Sequence, residues 1–341
     1  MIRDTYALLA AAFSVIPAAL RAADYPQAEI SNGLVRATLN LPDPQKGYYR
    51  GTRFDWSGVI YSLESRGHAY FAPFYERFDP NVRDVDLKDG VAAGPISAVS
   101  GPVEEFGAAG GTIGYADAQT GGAFLKIGVG VLRKPGEPRY DHYRQYEIVS
   151  SGKWTVQKGS DWIAFTQEIA DPFSGYGYVY AKTVRLAKGE SKMLLEHALR
   201  NTGRKPLVGN VYNHNFFVID RLPVGPDWSL AFPFQIKGAR DMAGLAEARG
   251  NEIVYLKTLG NGDTASTPVQ GFGDTPKDYD FRVENRKAGA GVRVTGDSTV
   301  SRLMLWSVKT VLCPEVFVDL NIAPGQEQKW NMTYEFYTLR P

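Results

Sequence analysis

Apolar and polar residues alternate in short runs along most of the chain. The clearest are residues 34–41, 124–132, 162–169, 176–186, 192–200, 253–258, 291–294, 302–308 and 330–337. A period of two puts every second side chain on the same face, which predicts half-buried β-strands rather than helices. Gly, Pro, Asp and Asn separate the runs, and Lys188-Gly189-Glu190 reads as a hairpin turn between two of them. Residues 241–249 are the best candidate for a short helix, and no long amphipathic helix is predicted. No repeat of solenoid or propeller period is present. The glycine-rich stretches 107–114 and 288–291 read as loops. So many strands predict an all-β chain, a large antiparallel sandwich or barrel, with residues 24–341 forming one domain.

One stretch stands apart. Residues 209–220, Gly-Asn-Val-Tyr-Asn-His-Asn-Phe-Phe-Val-Ile-Asp, are dense in aromatic and β-branched residues and read as a strand. Alternation places Tyr212, His214 and Phe216 on one face, and Asn213, Asn215 and Phe217 on the other. A titratable ring between two aromatics supplies a proton donor and a stacking surface to any cleft on that face.

Residues 1–23 break the pattern. Arg3 opens a short polar segment, residues 8–20 are apolar and alanine-rich, and Ala22-Ala23 supplies small residues for cleavage. That order is expected of a secretory signal peptide, against the alternative of a buried N-terminal helix. The apolar run is too short to span a bilayer, and the expected location is periplasmic or secreted. The whole chain carries a net charge of +1. Without Arg3, Arg21 and Asp4 it is neutral. A neutral chain with no basic tract is a poor partner for nucleic acid or an anionic membrane surface, and a small neutral molecule is the expected ligand. One cysteine, Cys313, excludes an internal disulfide, so stability must come from the core. Aromatics make up 12% of residues; some, such as Tyr48, Tyr49, Tyr140 and Tyr143, have polar sequence neighbours and could stack on a ligand in a cleft, while ordinary sheet packing is the expectation for any single ring.

A second constellation lies near the C-terminus, Leu312-Cys313-Pro314-Glu315-Val316-Phe317-Val318-Asp319-Leu320 followed by Ala323-Pro324-Gly325. Val316, Val318 and Leu320 form one face of a strand, with Glu315, Phe317 and Asp319 opposite. Pro314 donates nothing to a ladder, so an edge, a strand start or a bulge is expected there. On this segment alone Glu315 reads as a surface carboxylate at a strand start; the alternative is a desolvated carboxyl whose apolar surroundings raise its pKa and suit it to a general base.

Together, Asn213-His214-Asn215-Phe216-Phe217 and the Glu315 segment resemble the aldose 1-epimerase (galactose mutarotase) superfamily. The first is similar to that family's Asn-His-x-Tyr-Phe motif and the second to its catalytic Glu segment. Pro324-Gly325, the terminal Tyr334-Glu335-Phe336-Tyr337 and a hairpin ending in Asn201-Thr202-Gly203 add to the likeness. The resemblance implies a galactose mutarotase-like β-sandwich with a sugar cleft across one sheet. It implies His214 as the acid towards the ring oxygen and Glu315 as the base on the anomeric hydroxyl, with no cofactor and no metal. The chain lacks the family's upstream Leu-His-Gly-Gly and Asn-Arg-Ile segments. By order, His142 stands in for the missing histidine ahead of His68, and Arg77 or Arg83 for the arginine. Tyr212, Asn213 and Phe317 complete the expected sugar contacts. The alternatives are a non-catalytic sugar-binding protein on the same scaffold and a structural β domain. His197 reads as a core histidine, and Asp84-x-Asp86-x-x-Asp89 as a solvated turn.

Overall fold

The computed structural model describes residues 25–340 except 80, 82–83, 89, 95, 109–111 and 172. The expected signal peptide and Arg83 lie outside the described residues. Among the described residues five sheets account for almost all regular structure, and the fold is all-β.

The largest sheet has ten antiparallel strands, in the order Lys153–Lys158, Trp162–Asp171, Tyr176–Leu186, Lys192–Asn201, Glu327–Thr338, Ala290–Gly296, Asp280–Asn285, Trp228–Ala231, Glu252–Tyr255, Ala246–Arg249. A five-stranded sheet runs Ala265–Pro268, Arg302–Val308, Val311–Ile322, Leu207–His214, Val103–Phe106. Inward residues of the two, such as Leu195, Leu199, Trp330 and Tyr334 from the first and Val211, Leu305, Val316 and Val318 from the second, share one hydrophobic core. The predicted alternation is what puts them there, since each strand buries every second residue between the sheets. Smaller sheets surround this pair, the largest being Gln27–Ser31, Val35–Asn40, Val59–Ser65 and His68–Phe71.

Three expectations are corrected. Residues 246–249 form a strand, not the end of a helix, because the alternating Ala246 and Ala248 pair with Tyr255 and Ile253. The run 124–132 is two strands, Ala123–Lys126 and Gly130–Arg133, folded back by a turn at residues 127–129. The strand carrying His214 stops at that residue; Phe216 takes a positive φ of 24° and turns the chain away.

A buried polar cluster ties the two large sheets together. Glu104 accepts from Nδ2 of Asn213 at 2.9 Å and lies 3.0 Å from Nε2 of His197. Lys182 pairs with Glu104, donates to the Ser57 carbonyl at 2.9 Å and lies 4.0 Å from Asp55. His197 is thus a satisfied core histidine, its second nitrogen 3.1 Å from the Trp330 carbonyl. Every one of these charges has partners, as burial requires.

Candidate active site

The outer face of the five-stranded sheet forms the floor of a cleft of about 470 Å³. Register explains which side chains meet there. Tyr212 pairs with both Phe317 and Glu105, Arg302 pairs with Phe317, and Met304 pairs with Glu315. Cross-strand partners share a face, so one row of outward residues on four strands lines one surface. His214, Phe216 and Trp306 extend it, and Arg53, Phe54, Phe74, Asp84, His142 and Tyr143 come in from loops as walls.

At its centre His214 and Glu315 face each other, Nε2 to Oε1 at 3.3 Å. The His214 ring lies flat on Phe216, centroids 3.8 Å apart, with Phe54 and Trp306 edge-on. Its Nδ1 meets the thiol of Cys313. Burial, assisted by the Arg53 charge, pushes the imidazole pKa well below its usual value. Burial also raises Glu315 to about 8, with Glu105 adding to the rise and Arg53 opposing it. Neither group is easily charged alone, so the pair retains a shared proton.

The pairing of strands is broken where these groups sit. Backbone register holds at Tyr212–Phe317 and returns at the Phe217–Leu312 bridge. In the gap, side chains take over. Nδ2 of Asn215 donates to the Pro314 carbonyl at 2.6 Å, and the Phe216 N–H donates to Sγ of Cys313 at 2.9 Å. Pro314 is therefore neither at an edge nor at a strand start. It lies inside Val311–Ile322, at an opening in the ladder. Its carbonyl, and so the place of its missing N–H, faces that opening rather than the Arg302–Val308 strand. Gly101 packs so closely that a Cβ there would come 2.7 Å from the His214 carbonyl, which reserves the position for glycine.

A second cluster holds the cleft wall. Glu105 accepts from Arg53 Nε at 2.9 Å and from the Tyr212 hydroxyl at 2.6 Å, and lies 3.1 Å from Nδ1 of His142. Burial would raise this carboxylate, but Arg53, His142 and Lys126 outweigh it and hold it well below the usual range. Asp84 is 3.7 Å from Arg53, so it belongs to this wall rather than to a purely solvated turn.

Of the residues singled out from sequence, His214, Glu315, Tyr212, Phe317 and His142 line the cleft. Asn213 does not; alternation turns it inward onto Glu104. Arg77 is exposed beside Asp79 and outside the cleft lining, and His68 pairs with Asp220 elsewhere. Among the described residues, the arginines that reach the cleft are Arg53 and Arg302. Sequence reasoning passed over Arg53, Glu105, Trp306 and Arg302. The acidic pair Glu104-Glu105 between Val103 and Phe106 was the available signal, because alternation sends its members to opposite faces of the sheet.

His214, Cys313 and Glu315 offer ligand atoms within 4.8 Å of one another. The thiol lies on the Nδ1 edge of the ring and the carboxylate on the Nε2 edge, however, and one ion takes only one ring nitrogen.

No family model matches the sequence, and no curated protein matches it. Solved structures do. The GalM/aldose epimerase homologue from C. elegans aligns at TM-score 0.54 and 12% identity over 93% of this chain and 100% of its own. A galactose mutarotase-like protein from Lactobacillus casei gives 0.52 and 14%, over 92% and 100%. The Slr1438 protein of Synechocystis gives 0.54 and 13%, over 92% and 97%. The fold is thus the galactose mutarotase-like β-sandwich.

Proposed function

We propose that this chain interconverts the anomers of a sugar, using His214 and Glu315 to move protons at the anomeric centre. The observation that carries the reading is the 3.3 Å contact between these groups on the floor of an aromatic-lined cleft. Ring opening of a hemiacetal breaks the bond from C1 to the ring oxygen. It needs a proton delivered to that oxygen and another removed from the hydroxyl on C1. Both oxygens are bonded to one carbon, so acid and base must stand side by side.

The pair holds one proton, and one is what the reaction exchanges. Without sugar, burial favours neutral His214 and protonated Glu315. A bound sugar changes that balance. Its ring oxygen, a pure acceptor, favours a proton on Nε2, and its anomeric hydroxyl, a donor, favours an ionised carboxylate. His214 then gives its proton to the ring oxygen as Glu315 takes the hydroxyl proton. Closure on the other face of the resulting aldehyde reverses both transfers. Tyr212, Phe317 and Trp306 offer faces to the sugar's C–H groups, and Arg53, His142 and Arg302 offer donors to its hydroxyls. We further propose that the protein is exported, on the pattern of residues 1–23.

The test follows optical rotation of freshly dissolved α-hexoses and α-pentoses with and without the protein, with sugar binding measured in parallel. Relaxation accelerated beyond the buffer rate is the expected result. Binding without acceleration would place the chain among non-catalytic sugar-binding proteins, and neither would remove the carbohydrate reading.

A further inference from the structure

Any group that trades a proton at Nε2 of an imidazole needs the other nitrogen protonated throughout. In the charged ring both nitrogens carry hydrogen. In the neutral ring that has just given up its proton at Nε2, the remaining one must be on Nδ1. In His214, Nε2 faces Glu315, and Nδ1 faces only the sulfur of Cys313. That sulfur is fully buried and also receives the Phe216 N–H. Both donors approach from the His214–Phe216 segment, so the sulfur anchors the ring and the turn that follows it. Burial, with Glu315 nearby, pushes the thiol pKa well above its usual value, so the sulfur is a neutral acceptor and not a competing base.

We propose that Cys313 is a positioning residue, which accepts the Nδ1–H of His214 and so holds the neutral ring in the tautomer that leaves Nε2 free to exchange its proton. The proposal rests on the reading of His214 as a proton carrier, but its main readout does not depend on activity. Cys313 is buried behind the His214 ring and is not among the residues that line the cleft. An apolar residue at this position would pack but leave Nδ1–H without an acceptor. A hydroxyl would pack less fully and keep one.

The experiment records ¹⁵N chemical shifts of the histidine rings in the full chain at neutral pH. The His214 signals are assigned by their loss in His214→Asn; the chain has four histidines in all. In the unmutated protein the His214 proton is expected on Nδ1, with Nε2 carrying the lone pair. Cys313→Ser should keep that tautomer and stay within about threefold of the parent kcat, the small change expected when an outer partner is conserved. Cys313→Ala should shift the ring towards the Nε2–H tautomer and lower kcat by about 10- to 100-fold with KM little changed, as loss of an outer hydrogen-bond partner does. Circular dichroism of both variants guards against misfolding, and a misfolded Cys313→Ala is replaced by Cys313→Val. A parent ring protonated on Nε2 overturns the proposal whatever the activity. So does an apolar variant that keeps the Nδ1–H tautomer. If the tautomers behave as stated but no sugar relaxes faster, the positioning stands and the anomer reading falls.

Discussion

Glu315 is a carboxyl that the fold makes costly to ionise, and that cost has a sign. Its pKa rises from 4.5 to about 8 on folding. Between those values the unfolded chain has released a proton that the folded one keeps. The contribution to stability is therefore full below about pH 4.5, falls as pH rises through 8, and is flat above. Glu315→Gln removes the ionisation but keeps the shape. Relative to the parent, the variant should gain roughly 2–4 kcal/mol between pH 4 and pH 9, measured by denaturant titration at both; equal differences at the two pH values would sink the assignment. The same variant should lose about 10²–10⁴ in anomerisation rate, since one positioned acid or base is gone. On the proposed mechanism the active form is the singly protonated pair, so the parent's kcat/KM should hold through neutrality and decline above about pH 8. On the acid side it should persist well below pH 6.5, because His214 resists a second proton. A rate that climbs through pH 8 would mean that Glu315 alone, ionised, is the working group. At this scale the pair itself was legible, because a histidine among aromatics and a glutamate after Cys-Pro are local patterns. Arg53 and Glu105 were not, because their meaning comes from meeting each other across 52 residues of chain.

One step up, the element that matters is the opening between Leu207–His214 and Val311–Ile322. The sequence marked it twice, by Pro314 and by the polar run Asn213-His214-Asn215, yet the strand read through residue 220 when it ends at His214. Aromatic and β-branched content favours extension wherever it occurs, and it does not reveal where a side chain will replace the ladder. Asn215 is that side chain. It is fully buried, donates to Pro314, and accepts from the Tyr334 hydroxyl at 2.7 Å, so it also ties the opening to the ten-stranded sheet. Asn215→Ala should leave a buried carbonyl and a buried hydroxyl unpartnered, costing about 2–4 kcal/mol in a urea titration. Because Pro314 carries Glu315 with it, kcat should fall as well. Full activity at the parent's stability would show that the ladder holds itself open without this residue.

Across the whole molecule, Glu104 and Glu105 divide the work of one short strand. Glu105 builds the cleft wall, and Glu104, one residue away and therefore on the other face, anchors the charged cluster between the sheets. The sandwich was legible from alternation; this cluster was not, since Lys182 is one more polar residue in an alternating run until the sheets are stacked. It is the partner on which Glu104 depends. Burial alone would raise Glu104, but Lys182 and His197 bring it down to about 2, whereas burial lifts Asp55 to about 7. At neutral pH the charge balance thus rests chiefly on Lys182 and Glu104. Lys182→Met preserves length and removes the lysine charge, leaving Glu104 buried with the Asn213 amide and the His197 ring as its remaining partners. The expected loss at pH 7 is about 3–5 kcal/mol, the usual cost of stranding a buried charge. A depressed carboxylate stabilises above its unfolded pKa of about 4.5 and ceases to as pH falls towards 2, so the parent weakens in acid. In the variant Glu104 has lost the Lys182 share of that depression and takes up its proton more readily, becoming a neutral donor and acceptor. The stability gap between parent and Lys182→Met should accordingly be widest near neutrality and narrow steadily below pH 4.5. Urea midpoints of both proteins from pH 3 to pH 7 measure it, and a gap that stays constant across that range would mean that packing of the lysine stem, not its charge, joins the two sheets.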